Sequence, residues 1–295
     1  MKVTPLPELP PESTERRRVA IGTFDGVHLG HREVIRGSDT VVTFDPHPLS
    51  VINPEAQPKL LTPFEIKRDL IAGLGVEELV VVPFDRELAA RSAEWFVEDV
   101  LVQRLAAEQV SVGENFRFGK AARGTPELLD SRPEFETRVV PLVEVAGEAV
   151  SSSHIRGLVA AGDVSHAAEF LGGPFLFESE VVEGDRRGRT LGMPTANLVP
   201  DDRLVYPGHG VYAAWAHGYP AAVNVGVRPT FDTGRGPLVE VHLIGFEGDL
   251  YGEPLRVAFV ERMRGERRFE SVEALVEQMQ RDVERARELA TVSRR

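Results

Sequence analysis

Short apolar runs alternate with stretches of helical spacing along the first half of the chain. Residues 19–24 (VAIGTF), 41–45 (VVTFD), 78–84 (ELVVVPF), 109–113 (QVSVG) and 137–142 predict buried strands. Helices are predicted between them over roughly 29–36, 63–74 and 87–107, the last long and amphipathic. This alternation predicts a parallel, doubly wound sheet. Past Pro174 the rhythm changes. Residues 175–183, 210–217, 220–226, 237–246 and 254–261 are β-rich, separated by turn residues and by no long helix, which predicts an antiparallel sheet or barrel. Residues 155–172 predict a helical linker. A last helix follows Ser271, its N-cap, with Val272, Leu275, Val276, Met279, Val283 and Ala286 on one stripe. That stripe is expected to pack on the barrel and carry no chemistry. The prolines and charges of residues 1–17 predict a loose tail, leaving a first domain over 18–172 and a second over 173–295.

The 295 residues suit two domains, and 42% apolar with 27% charged residues is ordinary for a globular protein. No apolar run approaches the roughly 18 residues of a membrane span. The net charge of −12 argues against nucleic acid as a partner, although local amides and a few Arg or His residues can still hold a small anion such as ATP. There is no cysteine, so thiolate metal sites are excluded. The N-terminus lacks the apolar core of a signal peptide, and cytoplasm is the default expectation. The oligomeric state stays open.

Two segments carry candidate chemistry. In GTFDGVHLGH (residues 22–31), His28 and His31 sit where the first strand turns into a helix. Two imidazoles three residues apart can face one anion, Gly30 permits close backbone approach, and a helix N-terminus favours phosphate. The bland alternatives are two surface histidines, or metal ligands that lack a third partner beyond His47. Ser151, Ser152 and Ser153 before His154-Ile155-Arg156 read as a helix cap that could also cradle phosphate. The second segment runs from Gly184 to Asn197. Gly184, Gly188 and Gly192 keep a loop open to phosphate, and Arg186, Arg187 and Arg189 add positive charge. Thr195 and Asn197 present neutral oxygens suited to magnesium. Taken alone, the glycines and arginines favour a solvated turn. Two decoys fail: GENFRFGK (113–120) has five residues between its glycines where a P-loop has four, and Gly208-His209-Gly210 precedes a strand-like run.

GTFDGVHLGH, FDPHP (44–48), VGENFRFG (112–119) and SSSHIR (151–156) together resemble the adenylyltransferase module of prokaryotic FAD synthetases. GRTLGMPTAN (188–197), YPGHGVYAA, VNVGVRPTF, VEVHLIGF and DLYG resemble riboflavin kinase. The resemblance implies a Rossmann-like HxGH nucleotidyltransferase domain, then an antiparallel β-barrel kinase domain with a terminal helix. It implies ATP-dependent phosphorylation of riboflavin to FMN, and adenylylation of FMN to FAD with loss of pyrophosphate. His28 and His31 would stabilise the α-phosphoryl transition state. Gly22, Phe24 and Gly30 would border ATP, and Ser152, Ser153 and Arg156 would hold its outer phosphates. Asn115 and Arg117 would lie near the flavin phosphate or nucleotide. Gly184, Gly188, Arg189 and Gly192 would approach the kinase ATP, Thr195 and Asn197 would hold Mg-ATP, and Glu240 would be the general base. Glu240 and His242 share the strand face opposite Val239 and Val241, where the bland reading is a surface charge. The segment Arg32–Thr40 is close to the shortest parallel crossover, so the helix behind His31 should span about two turns. Two alternatives stay open: a kinase with a weakened adenylyltransferase, and a flavin-binding protein without turnover.

Overall fold

A computed structural model describes residues 1–184, 192–227 and 237–293. The chain forms two compact units, Met1–Pro58 with Phe64–Ser151, and Lys59–Pro63 with Ser152–Arg295.

The first unit is built on an all-parallel sheet. Its strands are β1 (Lys2–Pro5), β2 (Arg17–Ile21), β3 (Thr40–Asp45), β4 (Glu78–Pro83), β5 (Ala107–Gly113) and β6 (Glu136–Val140), in the order β1-β4-β3-β2-β5-β6. Val19, Ile21, Val42, Phe44, Val80, Val82, Val110 and Val112 point to one face and Ala20, Val41 and Leu79 to the other, so both faces are apolar and both are covered. α1 (Leu29–Ile35) and α3 (Phe64–Ala72) cover the second face, while the short α2 (Pro48–Ile52) follows β3. The helix behind His31 is two turns long, as the short crossover requires.

Two expectations fail in this unit. The N-terminal tail is ordered: β1 pairs in parallel with β4, and Leu6 and Leu9 are buried in the core. Glu78 fixes this edge, accepting from Thr4 Oγ1 at 2.6 Å and pairing with Lys2 Nζ at 3.1 Å. Pro5 is tolerated because an edge strand needs fewer backbone donors. The long helix over 87–107 is broken into α4 (Arg86–Ala89), α5 (Ala93–Trp95) and a π-helical stretch over Phe96–Arg104. Asp85 and Ser92 each cap a new start, accepting from the amides of Leu88 and Trp95. α6 (Pro126–Asp130) and a small hairpin, β7 (Glu144–Val145) and β8 (Glu148–Ala149), complete the unit.

The second unit is a closed antiparallel barrel. Its strands are β9 (Phe175–Val182), β10 (Ala196–Leu198), β11 (Gly210–Ala216), β12 (Tyr219–Val227), β13 (Pro237–Leu243) and β14 (Pro254–Arg264), in the order β10-β13-β12-β11-β14-β9. Closure removes the exposed edges of the sheet. The segment expected to be a linker of the first domain belongs here, as α7 (Ser152–Ala161) and α8 (Val164–Leu171), because Ile155, Val159, Val164, Ala167 and Phe170 are buried. The unit begins at Ser152, not residue 173. Residues 59–63 also join it: Leu60 N–H donates to Arg203 O at 2.8 Å, and Val205 N–H donates to Leu60 O at 2.9 Å. α9 (Val272–Ser293) closes the unit, and Ser271 Oγ accepts from Ala274 N–H as its cap. Among the described residues no helix is long and apolar enough to cross a membrane.

Candidate functional site

In the first unit, β2 ends at Ile21 and the GTFDGVHLGH turn carries the chain into α1. His28 is the N-cap of α1, and its Nδ1 accepts from the His31 amide at 3.2 Å. An accepting Nδ1 carries no proton, so His28 is the neutral Nε2–H tautomer in this arrangement. The two imidazoles stack, with centroids 3.5 Å apart and planes 16° apart, and Phe24 meets His31 edge-on at 5.4 Å. Burial holds the His31 pKa well below its usual 6.5, and the neighbouring His28 and the Lys67 ammonium act in the same direction. His31 Nδ1 is buried without a hydrogen-bond partner.

Gly22 opens the turn, and Phe24 is buried with a positive φ of 51°. Gly30 serves the histidine more directly than it serves any anion. A β-carbon there would lie 3.3 Å from the His28 ring, so glycine makes the room that the imidazole occupies. The helix start is also less open than its sequence suggests, because His28 already takes the His31 amide.

A cavity of about 900 Å³ begins at Thr23 of this turn. Phe44, Phe84, Trp95, Phe96, Phe116 and Phe118 line it, with Asn115, Arg91, Arg117 and Lys120 also in its wall. Arg91 lies over the Trp95 ring at 5.1 Å. Asn115 and Arg117 are therefore brought to one aromatic cavity. The other half of the expected phosphate cradle lies in the second unit. Ser152, Ser153 and Arg156 open α7, and Arg156 Nη1 donates to Ser153 Oγ at 3.1 Å.

In the barrel, strand register assembles the site. Asn197 of β10 sits opposite Glu240 of β13, which sits opposite Asn224 of β12. Residues directly opposite share a face, so these three form one row. Val239 and Val241 point into the barrel with no exposure, which puts Glu240 and His242 on its outer wall. Glu240 is half-buried and accepts from Asn224 Nδ2 at 3.1 Å. His242 Nδ1 lies 2.8 Å from Pro194 O, and a carbonyl only accepts, so Nδ1–H donates and ties the PTAN turn to β13.

Two cavities flank this row. One, of about 370 Å³, holds Glu240, Asn224 and Thr195 against Leu275, Met279 and Val283 of α9. The terminal helix packs on the barrel through Val283, Ala286 and Leu289, and its stripe also walls this cavity. Val272 falls outside that contact and is 58% exposed, while Ala286 and Ala290 are the fully buried anchors. Arg264 and Asp282, a bidentate pair with contacts of 2.7–3.1 Å, brace the same wall. The other cavity, of about 390 Å³, holds Thr195, Asn197 and the 246–251 turn. Thr195 borders both. Gly184 abuts Asn197: a β-carbon there would lie 2.6 Å from its Cγ and 2.8 Å from its Oδ1. Gly192 has a φ of +76°. Arg186, Arg187, Gly188 and Arg189 lie outside the described residues.

Lys67 and Asn224 are not singled out by the sequence. Lys67 had a signal, since it falls in phase with Phe64 and Ile71 on the apolar stripe of α3. Asn224 becomes visible only through cross-strand register.

Residues 10–154 match the profile of the FAD synthetase family, and residues 171–290 match that of riboflavin kinase. A bifunctional riboflavin kinase/FMN adenylyltransferase of Bacillus subtilis is 36% identical, over 93% of this chain and 93% of its own. That of Escherichia coli K12 is 36% identical, over 92% and 91%. A solved structure described as a macrolide-efflux protein from Streptococcus pneumoniae is 31% identical, with a TM-score of 0.86 over 97% of this chain and 99% of that one.

Proposed function

The chain belongs to the family of bifunctional riboflavin kinase/FMN adenylyltransferases, and from that membership we propose how its residues divide the work. The barrel unit phosphorylates riboflavin to FMN. The sheet unit adenylylates FMN to FAD with release of pyrophosphate. ATP is the co-substrate of both.

For the kinase step, the carrying observation is the row Asn197–Glu240–Asn224 with Thr195 bordering a cavity on each side. Riboflavin takes the cavity under α9, and ATP takes the one beside Asn197. Glu240, oriented by the Asn224 amide, accepts the proton of the terminal hydroxyl as its oxygen attacks the γ-phosphorus and ADP leaves. Neutral oxygens at Thr195 and Asn197 suit a hard cation, and the packing of Gly184 on Asn197 fixes one of them. Magnesium held there would neutralise charge on the transferred phosphoryl group.

For the adenylyl step, an FMN phosphate oxygen attacks the α-phosphorus of ATP and pyrophosphate departs. The aromatic cavity takes the flavin ring, with Asn115 and Arg117 toward its polar end. Neutral His28 donates from Nε2 to a phosphate oxygen, and His31 supplies the second contact. Gly22, Phe24 and Gly30 shape this turn. Ser152, Ser153 and Arg156 are offered for ATP phosphate oxygens at the start of α7. A cytoplasmic setting, where ATP is supplied, fits both steps.

The test is chromatography of riboflavin, FMN and FAD after incubation with ATP and magnesium. FMN followed by FAD is expected. FMN alone would leave a kinase with a degenerate first unit, and neither product would refute both assignments.

A further inference from the structure

The second turn of α3 places an ammonium where a buried charge is costly. Lys67 is 9% exposed, on the same helix as the buried Ile66 and Ile71. Its side chain reaches the carboxyl ends of β2 and β3, the end at which open parallel sheets bind ligands. There Nζ donates to Thr23 O and to Thr43 Oγ1, both at 3.4 Å. Thr43 Oγ1 in turn donates to Thr23 O at 3.2 Å. Thr23 belongs to the GTFDGVHLGH turn and borders the aromatic cavity, and the next residue, Phe24, carries the ring that contacts His31. A structural role alone would be better met by methionine, which fills similar space without desolvating a charge.

We propose that Lys67 is a positioning residue for adenylyl transfer: its ammonium pins the Thr23 carbonyl beneath the turn and supplies the fixed positive charge against which the stacked His28–His31 pair works. This rests on the adenylyltransferase reading of that turn. Burial is the main reason the His31 ring resists protonation, and the Lys67 charge adds to it. Burial lowers the Lys67 pKa, and the negative charges of Asp45 and Asp25 act against that fall. Asp25 lies on the same turn as His31, and the adjacent Arg32 donates from Nε to Val27 O at 3.1 Å. His28 lies on the same turn, β5 contributes Ser111, an uncharged residue whose hydroxyl donates to Val34 O, and Glu33 pairs with Arg138 at the far end of α1.

The experiment compares Lys67→Met, Lys67→Gln and Lys67→Arg in the full-length protein. FAD formation from FMN and ATP is followed from acid to neutral pH, with circular dichroism and urea unfolding of each variant read in parallel as the measure of intact folding. Met and Gln should lower kcat for FAD formation about tenfold to a hundredfold. They should also move the acid limb of its pH profile upward, because His31 protonates more readily without the cation. Arg should keep the wild-type limb. If Lys67→Met does not fold, Lys67→Gln, which retains hydrogen-bonding capacity without charge, gives the same reading. A rate lowered equally at every pH, with the limb unmoved in both neutral variants, would overturn the proposal and leave Lys67 a structural residue. Absence of FAD from the unsubstituted protein would remove the adenylyltransferase reading itself, and the proposal with it.

Discussion

Gly184→Ala tests whether the kinase site depends on the seat of Asn197. The added methyl would lie 2.6 Å from Asn197 Cγ and 2.8 Å from its Oδ1. Ordinary contact needs roughly 3.5 Å or more, so the amide must retreat by about 1 Å. Asn197 is 7% exposed in a three-stranded register, so retreat strains its surroundings, at about 1–3 kcal/mol of stability. The larger effect is on catalysis, because a misplacement of about 1 Å in a positioning group costs on the order of a hundredfold in rate. The assay is steady-state FMN formation at several magnesium concentrations, beside FAD formation from supplied FMN. Kinase kcat should fall about a hundredfold and more magnesium should be needed, while FAD formation holds. Wild-type kinase kinetics in a folded Gly184→Ala protein would refute the assignment of Asn197 to the metal-nucleotide.

Four further outcomes are expected. His31→Ala should abolish FAD formation and leave FMN formation near normal, and product chromatography showing both lost in a folded protein would sink the two-site division. Glu240→Ala should do the reverse when FMN is supplied; persistent riboflavin phosphorylation would remove it as the base. Asn224→Ala should reduce kinase kcat about tenfold by freeing the Glu240 carboxylate from its 3.1 Å partner; an unchanged rate would contradict an orienting role. Burial opposes ionisation of Glu78, but hydrogen bonds from Thr4 and Lys2, with the charges of Lys2 and Arg17, outweigh it and hold its pKa below 4.5. Its stabilising effect is therefore complete above pH 4.5 and lost as pH falls through the folded-state value. Glu78→Gln should lower stability at neutral pH and flatten the acid dependence of urea midpoints, and parallel acid profiles would refute that accounting.

Much of this fold is legible because parallel strands buried on both faces read as unbroken apolar runs, as VVTFD and ELVVVPF do. β1 escapes detection because four residues, KVTP, followed by further prolines carry no period. β10 is three residues long and begins within PTAN, where the same letters read as a motif. The break at Ser92 is a matter of local capping, which outweighs the amphipathic pattern running through it. The histidines and Glu240 are visible as residue types at spacing, whereas Asn224 and Lys67 acquire meaning only when strand register sets one opposite Glu240 and helix packing brings the other to the Thr23 carbonyl.

The small excursion of residues 59–63 bears on how such a chain could have been assembled. Leu60 exchanges backbone hydrogen bonds with Arg203 and Val205, so five residues encoded within the first half complete the second. A gene fragment starting at Ser152 would encode a barrel lacking that strip, with the Arg203 carbonyl and the Val205 amide losing their partners. Recombination at the 151/152 boundary is therefore not neutral. The two units are interleaved in sequence, and a barrel made without the first half would need another partner for the Arg203 carbonyl and the Val205 amide.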